Sequence, residues 1–218
     1  GGASSVTVTV GGRVQNGIDA AAGGAVVAVS SGSFVGNVVI DKPITLSGAN
    51  AGLSGTASGR NAESSIIGRI NVTTTGSVTI DGIEVRATAS TGTAGPSNPA
   101  VHLASVNAGS TQTVTNSIFF SEVAGGIISS VDSRAVFVPP GASNPGSVSI
   151  QNNLFTGYAG AGKYGTAAWG RGIWSDGGNT ALTISGNSFN AVRSGMNLDN
   201  PLNVSVTNNN FLLAGTAV

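Results

Sequence analysis

The sequence contains no cysteine, and only 8% of its 218 residues are charged. Without cysteine there is no disulfide framework and no thiolate metal site. Nine basic residues balanced by nine acidic ones do not form the Lys/Arg field that nucleic-acid binding requires. The same balance leaves no basic face for a membrane anchor, and no apolar run approaches the ~20 residues that span a bilayer. We therefore expect neither nucleic-acid binding nor membrane insertion.

The chain does contain a recurring phrase, seen in LTISGNSFNAV and VSVTNNNFLLA. Its copies begin at residues 44, 78, 112, 148, 182 and 204. Each copy alternates apolar and polar residues, which predicts a strand. It then passes through Gly or Asn, which tolerate the left-handed backbone of a sharp corner, and ends on an apolar or aromatic residue.

A second, shorter phrase lies between the copies, as AVHLA, AVFVP, GIWSD and GMNLD. Together the two phrases predict coils of three short strands that stack in parallel, because one coil cannot bury its apolar face alone. We predict an all-β fold, a single parallel β-helix of about six coils. Two inward columns follow from the alignment of the phrases: Val101, Val136, Ile173 and Met196; Phe119, Phe155, Phe189 and Phe211.

The N-terminal segment fits the same scheme. Apolar residues at helical spacing predict a short capping helix over residues 13–24, which would close the open end of the solenoid. The coils would then fill residues 25–218, so that residues 1–218 form one domain. The VTVTV stretch at residues 6–10 predicts a strand that covers the helix or joins a preceding module.

The run from Val14 to Gly52, with GRNAESSIIG (59–68) and VTIDGIEV (78–85), resembles bacterial right-handed parallel β-helix repeat proteins of the pectate-lyase-like superfamily. The resemblance covers nearly the whole chain and implies a right-handed solenoid. The superfamily includes lyases, hydrolases, epimerases and adhesins, so the resemblance indicates a fold rather than an activity.

Long excursions at residues 86–99, 121–134 and 156–171 would all project from one corner of the coil. Beside that corner, the alternation predicts an outward column on consecutive coils. Its candidate ligand-binding residues are His102, Phe137, Trp174 and Asn197, joined by Trp169, Tyr158 and Tyr164 of the adjacent loop. Such rings could stack on sugars, but the favoured interpretation buries them as a satellite core, since large aromatic side chains are usually buried.

Asp176 and Asp199 occupy equivalent positions on adjacent coils. With Arg171, and with Arg134 and Arg193 nearby, they are the candidate catalytic residues, as an acid/base pair on a polysaccharide, and the candidate ligands for Ca²⁺. Both also lie in ordinary turn sequences, in which Asp caps its own backbone, and this interpretation is favoured. No other cofactor is expected.

Three smaller features have structural interpretations. Arg60 and Glu63 predict an ion pair that fastens a loop, and the corner Asn residues predict a ladder of amides that hydrogen-bond from coil to coil. A Thr-rich stretch at residues 71–76 raises the question of an ice-binding array, but no regular Thr-x-Thr pattern repeats on successive coils.

Two functional hypotheses remain. The first is a structural or interaction module of a secreted or cell-surface bacterial protein, of adhesin, fibre or surface-layer type, which assembles head-to-tail with itself or stacks on neighbouring modules. Because no convincing catalytic cluster is present, an enzyme is not favoured. The alternative is a polysaccharide-binding or polysaccharide-degrading domain, lyase- or hydrolase-like, that uses the groove beside the long loops.

Overall fold

The structure is a computed structural model. It describes residues 1–87, 99–104, 106–121, 134–140, 146–157, 169–176, 178–190, 192–199 and 201–212. Within these ranges, 21 strands and one short helix are present, and every strand pair is parallel. The strands form three stacked sheets, which confirms a parallel β-solenoid.

The first strand of each coil lies in an eight-stranded sheet. In spatial order its strands are β1 (Ala3–Val8), β2 (Ala21–Val29), β5 (Ile44–Ser47), β8 (Val78–Asp81), β11 (Thr111–Thr115), β14 (Ser147–Gln151), β17 (Gly178–Ser185) and β20 (Pro201–Thr207).

The second and third strands of each coil form the other two sheets. The seven-stranded sheet contains β3 (Gly32–Val35), β6 (Ser64–Ile67), β9 (Ile83–Ala87), β12 (Ile118–Ser121), β15 (Leu154–Gly157), β18 (Ser188–Asn190) and β21 (Asn210–Leu212). The six-stranded sheet contains β4 (Val38–Ile40), β7 (Ile70–Val72), β10 (Val101–His102), β13 (Arg134–Val138), β16 (Trp169–Ser175) and β19 (Val192–Leu198). Six complete coils therefore run from β2–β4 to β17–β19, and a terminal coil of two strands, β20 and β21, follows.

Both predicted inward columns are confirmed. Val101, Val136, Ile173 and Met196 are fully buried and pair in register from coil to coil. The four Phe rings stack with centroid separations of 4.9, 4.6 and 4.9 Å and nearly parallel planes. Burial of these columns is the main driving force that holds the coils together.

The predicted corners between the first and second sheets are also present. One corner position is in the left-handed region on five coils, where φ lies between 53° and 67°: Gly82, Asn116, Asn152, Gly186 and Asn208. Only Gly, and less often Asn, adopts this conformation without strain, which is why the phrase contains these residues there. On the last three of these coils the next position carries the amide ladder that the sequence predicts: Asn153, Asn187 and Asn209.

The capping helix is shorter than predicted. Helix α1 spans Val14–Ala20 rather than residues 13–24, because residues 21–24 already belong to β2, whose first residue, Ala21, pairs with Ala3 of β1. Val14 and Ile18, on one face of the helix, are buried. Near the helix end, the side chain of Lys42 donates to the carbonyl oxygen of Ile18 at 3.2 Å. In the described part of the chain, no helix has the length and apolar character needed to cross a membrane.

A loop of residues 48–63, here called the strap, crosses several coils at the corner. The backbone N–H of Gly55 donates to the Asn152 carbonyl oxygen at 2.8 Å, and Arg60 donates to the Asn116 carbonyl oxygen at 2.8 Å. The predicted ion pair of Arg60 with Glu63 is confirmed, with two contacts of 2.7 Å. The strap therefore ties the second coil to the fourth and fifth.

Candidate functional site

The predicted outward column lies on the six-stranded sheet. Its register runs across all six strands as Val39, Asn71, His102, Phe137, Trp174 and Asn197. The last four side chains are half-buried. Period-two alternation placed them correctly, because each follows an inward residue of the Val101 column.

Two arginines lie against the Trp174 ring. The central guanidinium carbon of Arg134 is 3.4 Å from the ring centre, and that of Arg171 is 3.6 Å away. Arg134 also lies 4.6 Å from the Phe137 ring. Such cation–π contacts contribute about 0.5–2 kcal/mol each and hold the planar guanidinium groups in one orientation. We call Arg134, Phe137, Arg171 and Trp174 the arginine–aromatic patch.

The position of Arg134 departs from simple alternation. Ala135 and Val136 are both buried, so strict alternation is broken there, and the half-buried Arg134 lies three residues before Phe137 rather than two or four. Gly172 and Ile173 are likewise both buried between Arg171 and Trp174. The small residue at the start of each AVFVP-type phrase is the sequence signal for this break in alternation, because a side chain at Gly172 would collide with Phe189.

His102 lies one coil from Phe137, with ring centroids 5.1 Å apart and planes tilted by 37°. Partial burial lowers the pKa of His102 below its ordinary value of 6.5, and the positive charges of Arg69 and Arg134 lower it further. His102 is therefore neutral at neutral pH.

Asp176 and Asp199 lie just past the ends of β16 and β19, and both are exposed. The backbone N–H of Asp176 donates to the Val138 carbonyl oxygen, and that of Asp199 to the Ser175 carbonyl oxygen, each at 3.0 Å. The two residues thus occupy equivalent positions on adjacent coils, two residues beyond the Trp174 column. Across the described ranges, no three His, Cys, Asp or Glu side chains come together as metal ligands. The Ca²⁺ site and the acid/base pair stay predictions.

Trp169 lies in the core rather than on a stacking surface. Its side chain is fully buried, and its indole nitrogen donates to the carbonyl oxygens of Phe119 at 3.3 Å and Thr156 at 3.0 Å. Trp169 therefore belongs to β16 and to the main core rather than to the adjacent loop, and the satellite core favoured for the other rings stays a prediction. Tyr158, Tyr164 and most of the long excursions lie outside the described residues.

The terminal coil presents an apolar surface that the sequence analysis did not identify by residue. Val204 and Val206 continue the inward columns of Leu182 and Ile184, which are 2% and 0% exposed. Val204 and Val206 are 40% and 42% exposed. Phe211, which ends the Phe stack, is half-buried. We call Val204, Val206 and Phe211 the terminal face.

Exposed large hydrophobic side chains concentrate at the two ends of the solenoid. Among the described residues they are Val10, Val26, Val35, Val39, Leu53, Val204, Val206 and Leu212. All except Leu53 belong to the first coil, the segment that follows β1, or the terminal coil. The intermediate coils expose polar side chains instead.

The sequence analysis also missed a column of hydroxyl side chains on the eight-stranded sheet. The column faces outward on six successive coils: Thr45, Thr79, Thr113, Ser149, Thr183 and Ser205. The expectation that no strict Thr-x-Thr array exists holds, because the neighbouring column includes Asp81 and Gln151. The sequence signal for this column is the second residue of each copy of the recurring phrase, which is Thr or Ser in all six copies.

A cleft of about 330 Å³ opens beside the start of α1 and is lined by Val14, Gln15, Phe34 and Val38, among others. None of the predicted site residues contributes to it. The arginine–aromatic patch and the cleft therefore lie at different places on the solenoid.

No protein-family model matches this chain, and searches of curated proteins and of solved structures found none similar to it.

Proposed function

We propose that the chain is a structural and interaction module of a secreted or cell-surface bacterial protein, a rigid β-solenoid that associates through its terminal coil with another β-coil. The resemblance of its repeat phrases to pectate-lyase-like β-helices supports this assignment. The observation that carries it is the abrupt exposure of the core columns at Val204 and Val206, one coil after Leu182 and Ile184 are buried.

The energetics favour a further coil at this position. Burial of apolar surface contributes roughly 25 cal/mol per Å² to stability. The exposed surface of Val204, Val206 and Phe211 makes this contribution only when another coil covers it. The exposed edge of a sheet also presents backbone N–H and C=O groups that readily pair with another strand. A coil with apolar residues at the same positions would bury this apolar surface and pair with the strand edge.

The test replaces the apolar surface without changing its shape. Val204→Thr with Val206→Thr keeps the β-branched side chains but introduces hydroxyls, so concentration-dependent association measured by sedimentation velocity is expected to weaken. The matched control is Val26→Thr with Val39→Thr, since these valines are 42% and 39% exposed on the first coil. A wild-type chain that stays monomeric at high concentration would count against the proposal.

A second candidate function is polysaccharide binding, which the arginine–aromatic patch favours. Trp174 and Phe137 supply rings for stacking, while Arg134 and Arg171 supply donors for carboxylate or hydroxyl groups of a sugar chain. Trp174→Ala is expected to lower retention of the protein by polysaccharide in affinity electrophoresis.

The catalytic form of this hypothesis depends on the two carboxylates. Replacing Asp176 and Asp199 with Asn removes both charges while keeping side-chain size. If the wild-type chain degrades a polysaccharide and the double variant does so equally well, catalysis by this pair is excluded.

A further inference from the structure

We infer that the free edge of β3 binds an extended segment of a partner protein as an added strand, with an acidic side chain of that segment on Arg13. The site lies at the first coil and shares no residue with the terminal face, so it goes beyond the proposed function and does not depend on it. Residues 1–87, which contain the first two coils and all of this site, are described without a gap.

The chain itself covers two of the three strand edges at the first coil. On the eight-stranded sheet, β1 pairs with β2. At β4, the side-chain amide of Gln15 takes the place of a strand. The Val39 N–H donates to the amide oxygen at 2.7 Å, and the amide nitrogen donates to the Val39 carbonyl oxygen at 3.2 Å. Because an open strand edge pairs readily with another chain, these contacts protect two of the sheets.

The edge of β3 has no such cover. Gly32 and Gly36 donate their backbone N–H groups towards β6, on one side of the strand. Backbone groups of successive residues alternate between the two sides of a strand, so those of Ser33 and Val35 are directed to the other side. Within residues 1–87 no hydrogen bond to these groups is formed there. The edge therefore offers two donors and two acceptors to an incoming strand.

A cleft of about 330 Å³ lies between β3 and the start of α1. The buried side chains of Val14, Phe34 and Val38 are among those that line it. Val35 also lines the cleft and is 75% exposed, more than any other large apolar side chain of the described residues. Alternate side chains of a strand point to opposite faces, so an apolar residue of the added strand can enter the cleft while its backbone pairs with β3.

Arg13 sets the charge of the partner. Its side chain is exposed, and it is the only charged residue among those that line the cleft. Across the described ranges Arg13 forms no ion pair, whereas Arg60 is paired with Glu63. A carboxylate on the added strand gains a charge-assisted hydrogen bond to Arg13, and a basic side chain at the same place is repelled.

A second copy of this chain fits the edge less well. Two copies joined through their β3 edges each bring Arg13 to the contact, and the cleft residues of neither supply an acid. Strand β21, at the opposite edge of the same sheet, has no acid either, since residues 200–218 contain no Asp or Glu. The occupant that complements the charge of Arg13 is a segment of a different protein.

Binding of the labelled full chain to a peptide array tests the site. The array contains eight-residue peptides with Val, Ile, Leu or Phe at alternate positions, and with Glu, Gln or Lys at one intervening position and Thr at the others. Retention of the chain is expected to fall in the order Glu, Gln, Lys. When the best Glu peptide is titrated into the chain, the backbone amide signals of Ser33 and Val35 are expected to shift most in NMR spectra.

Two variants locate the contact. Val35→Pro removes the N–H that faces the added strand and leaves the hydrogen bonds between β3 and β6 in place, because proline is tolerated at strand edges. It should weaken binding of the best Glu peptide about tenfold or more. Arg13→Glu, at an exposed position, should reverse the order so that Lys peptides are retained best. Arg193→Glu, at an exposed arginine on β19, is the matched control and should keep the wild-type order.

Three results overturn the inference. The first is an array that retains none of the wild-type chain. The second is an order of retention that Arg13→Glu leaves unchanged, which is decisive even if Val35→Pro fails to fold. The third is a wild-type dimer in sedimentation that Val35→Pro or Arg13→Glu abolishes, since the occupant is then a second copy. Association through the terminal coil is measured with Val204→Thr and Val206→Thr, so each proposal can fail while the other stands.

Discussion

The side-chain amide nitrogen of Asn153 donates to the amide oxygen of Asn187 at 3.0 Å, and both residues are buried. The arrangement repeats one coil later, where Asn187 donates to Asn209 at 2.9 Å. Each amide oxygen also accepts from the backbone N–H of the preceding rung, as Asn187 does from Asn153 at 3.0 Å. Each amide nitrogen further donates to a strand carbonyl oxygen, that of Ile150 in the case of Asn187 at 2.9 Å. The side chains of Asn153 and Asn187 therefore satisfy polar groups on the coil before their own and on the coil after it.

Asn187→Ala should destabilise the fold strongly. The substitution leaves the Asn153 amide and the Ile150 carbonyl oxygen buried without these partners, and each such loss costs about 1–3 kcal/mol. We expect the free energy of unfolding, measured by chemical denaturation, to fall by on the order of 3 kcal/mol. Asn203→Ala, at an exposed position of β20, is the control and should change it by less than about 0.5 kcal/mol. Equal effects of the two variants would contradict a structural ladder.

Phe155 occupies the middle of the aromatic stack, between Phe119 and Phe189. Phe155→Ala should lower the free energy of unfolding by about 3–5 kcal/mol, because it removes a fully buried ring and leaves a cavity between two others. Phe120, on β12, faces outward beside Arg86 and is half-buried, so Phe120→Ala is expected to cost about 1 kcal/mol. Calorimetry or denaturant titration of both variants measures the difference, and similar losses would show that the stack is not the dominant core.

The solenoid could be predicted from sequence because its information is local and repeated. Val136 and Ile173 stand at the same place in successive phrases, so the register needed only alignment and a period of two. The end of α1 could not be found this way. Gly23 and Gly24 resemble a helix stop, but β2 already begins at Ala21, which pairs with Ala3 of β1. Tertiary pairing overrode a local signal.

The site could be predicted only in part, for a similar reason. Trp174 and Phe137 follow from alternation, whereas the contact of Arg134 with the Trp174 ring does not, because two consecutive buried residues, Ala135 and Val136, separate Arg134 from Phe137. Trp169 was assigned to a loop, but its indole is anchored in the core by the Phe119 and Thr156 carbonyl oxygens. Neither the pair of consecutive buried residues nor the hydrogen bonds of the Trp169 indole can be read from a period-two pattern.

Arg60 is expected to control the strap. Its guanidinium group bonds Glu63 through two nitrogens and also reaches the carbonyl oxygens of Leu53 and Asn116. Lysine presents a point charge and cannot reproduce this geometry. Arg60→Lys should therefore speed hydrogen exchange at the Gly55 amide, which bonds Asn152 across the corner. Arg193→Gln, at an exposed arginine, is the control, and unchanged exchange at Gly55 in Arg60→Lys would show that the strap is held by other contacts.

His102 should make the stability of the protein depend on pH. Because its pKa is lower in the folded chain than the ordinary 6.5, the unfolded chain binds the proton more readily as the pH falls. This contribution to stability is complete well above pH 6.5 and is lost as the pH drops through 6.5 towards the lowered folded pKa. His102→Gln retains a neutral polar side chain, so its stability should decline less than that of the wild-type chain between pH 8 and pH 5. All other titratable groups are shared, so the difference between the two denaturation profiles isolates His102, and parallel profiles would contradict the lowered pKa.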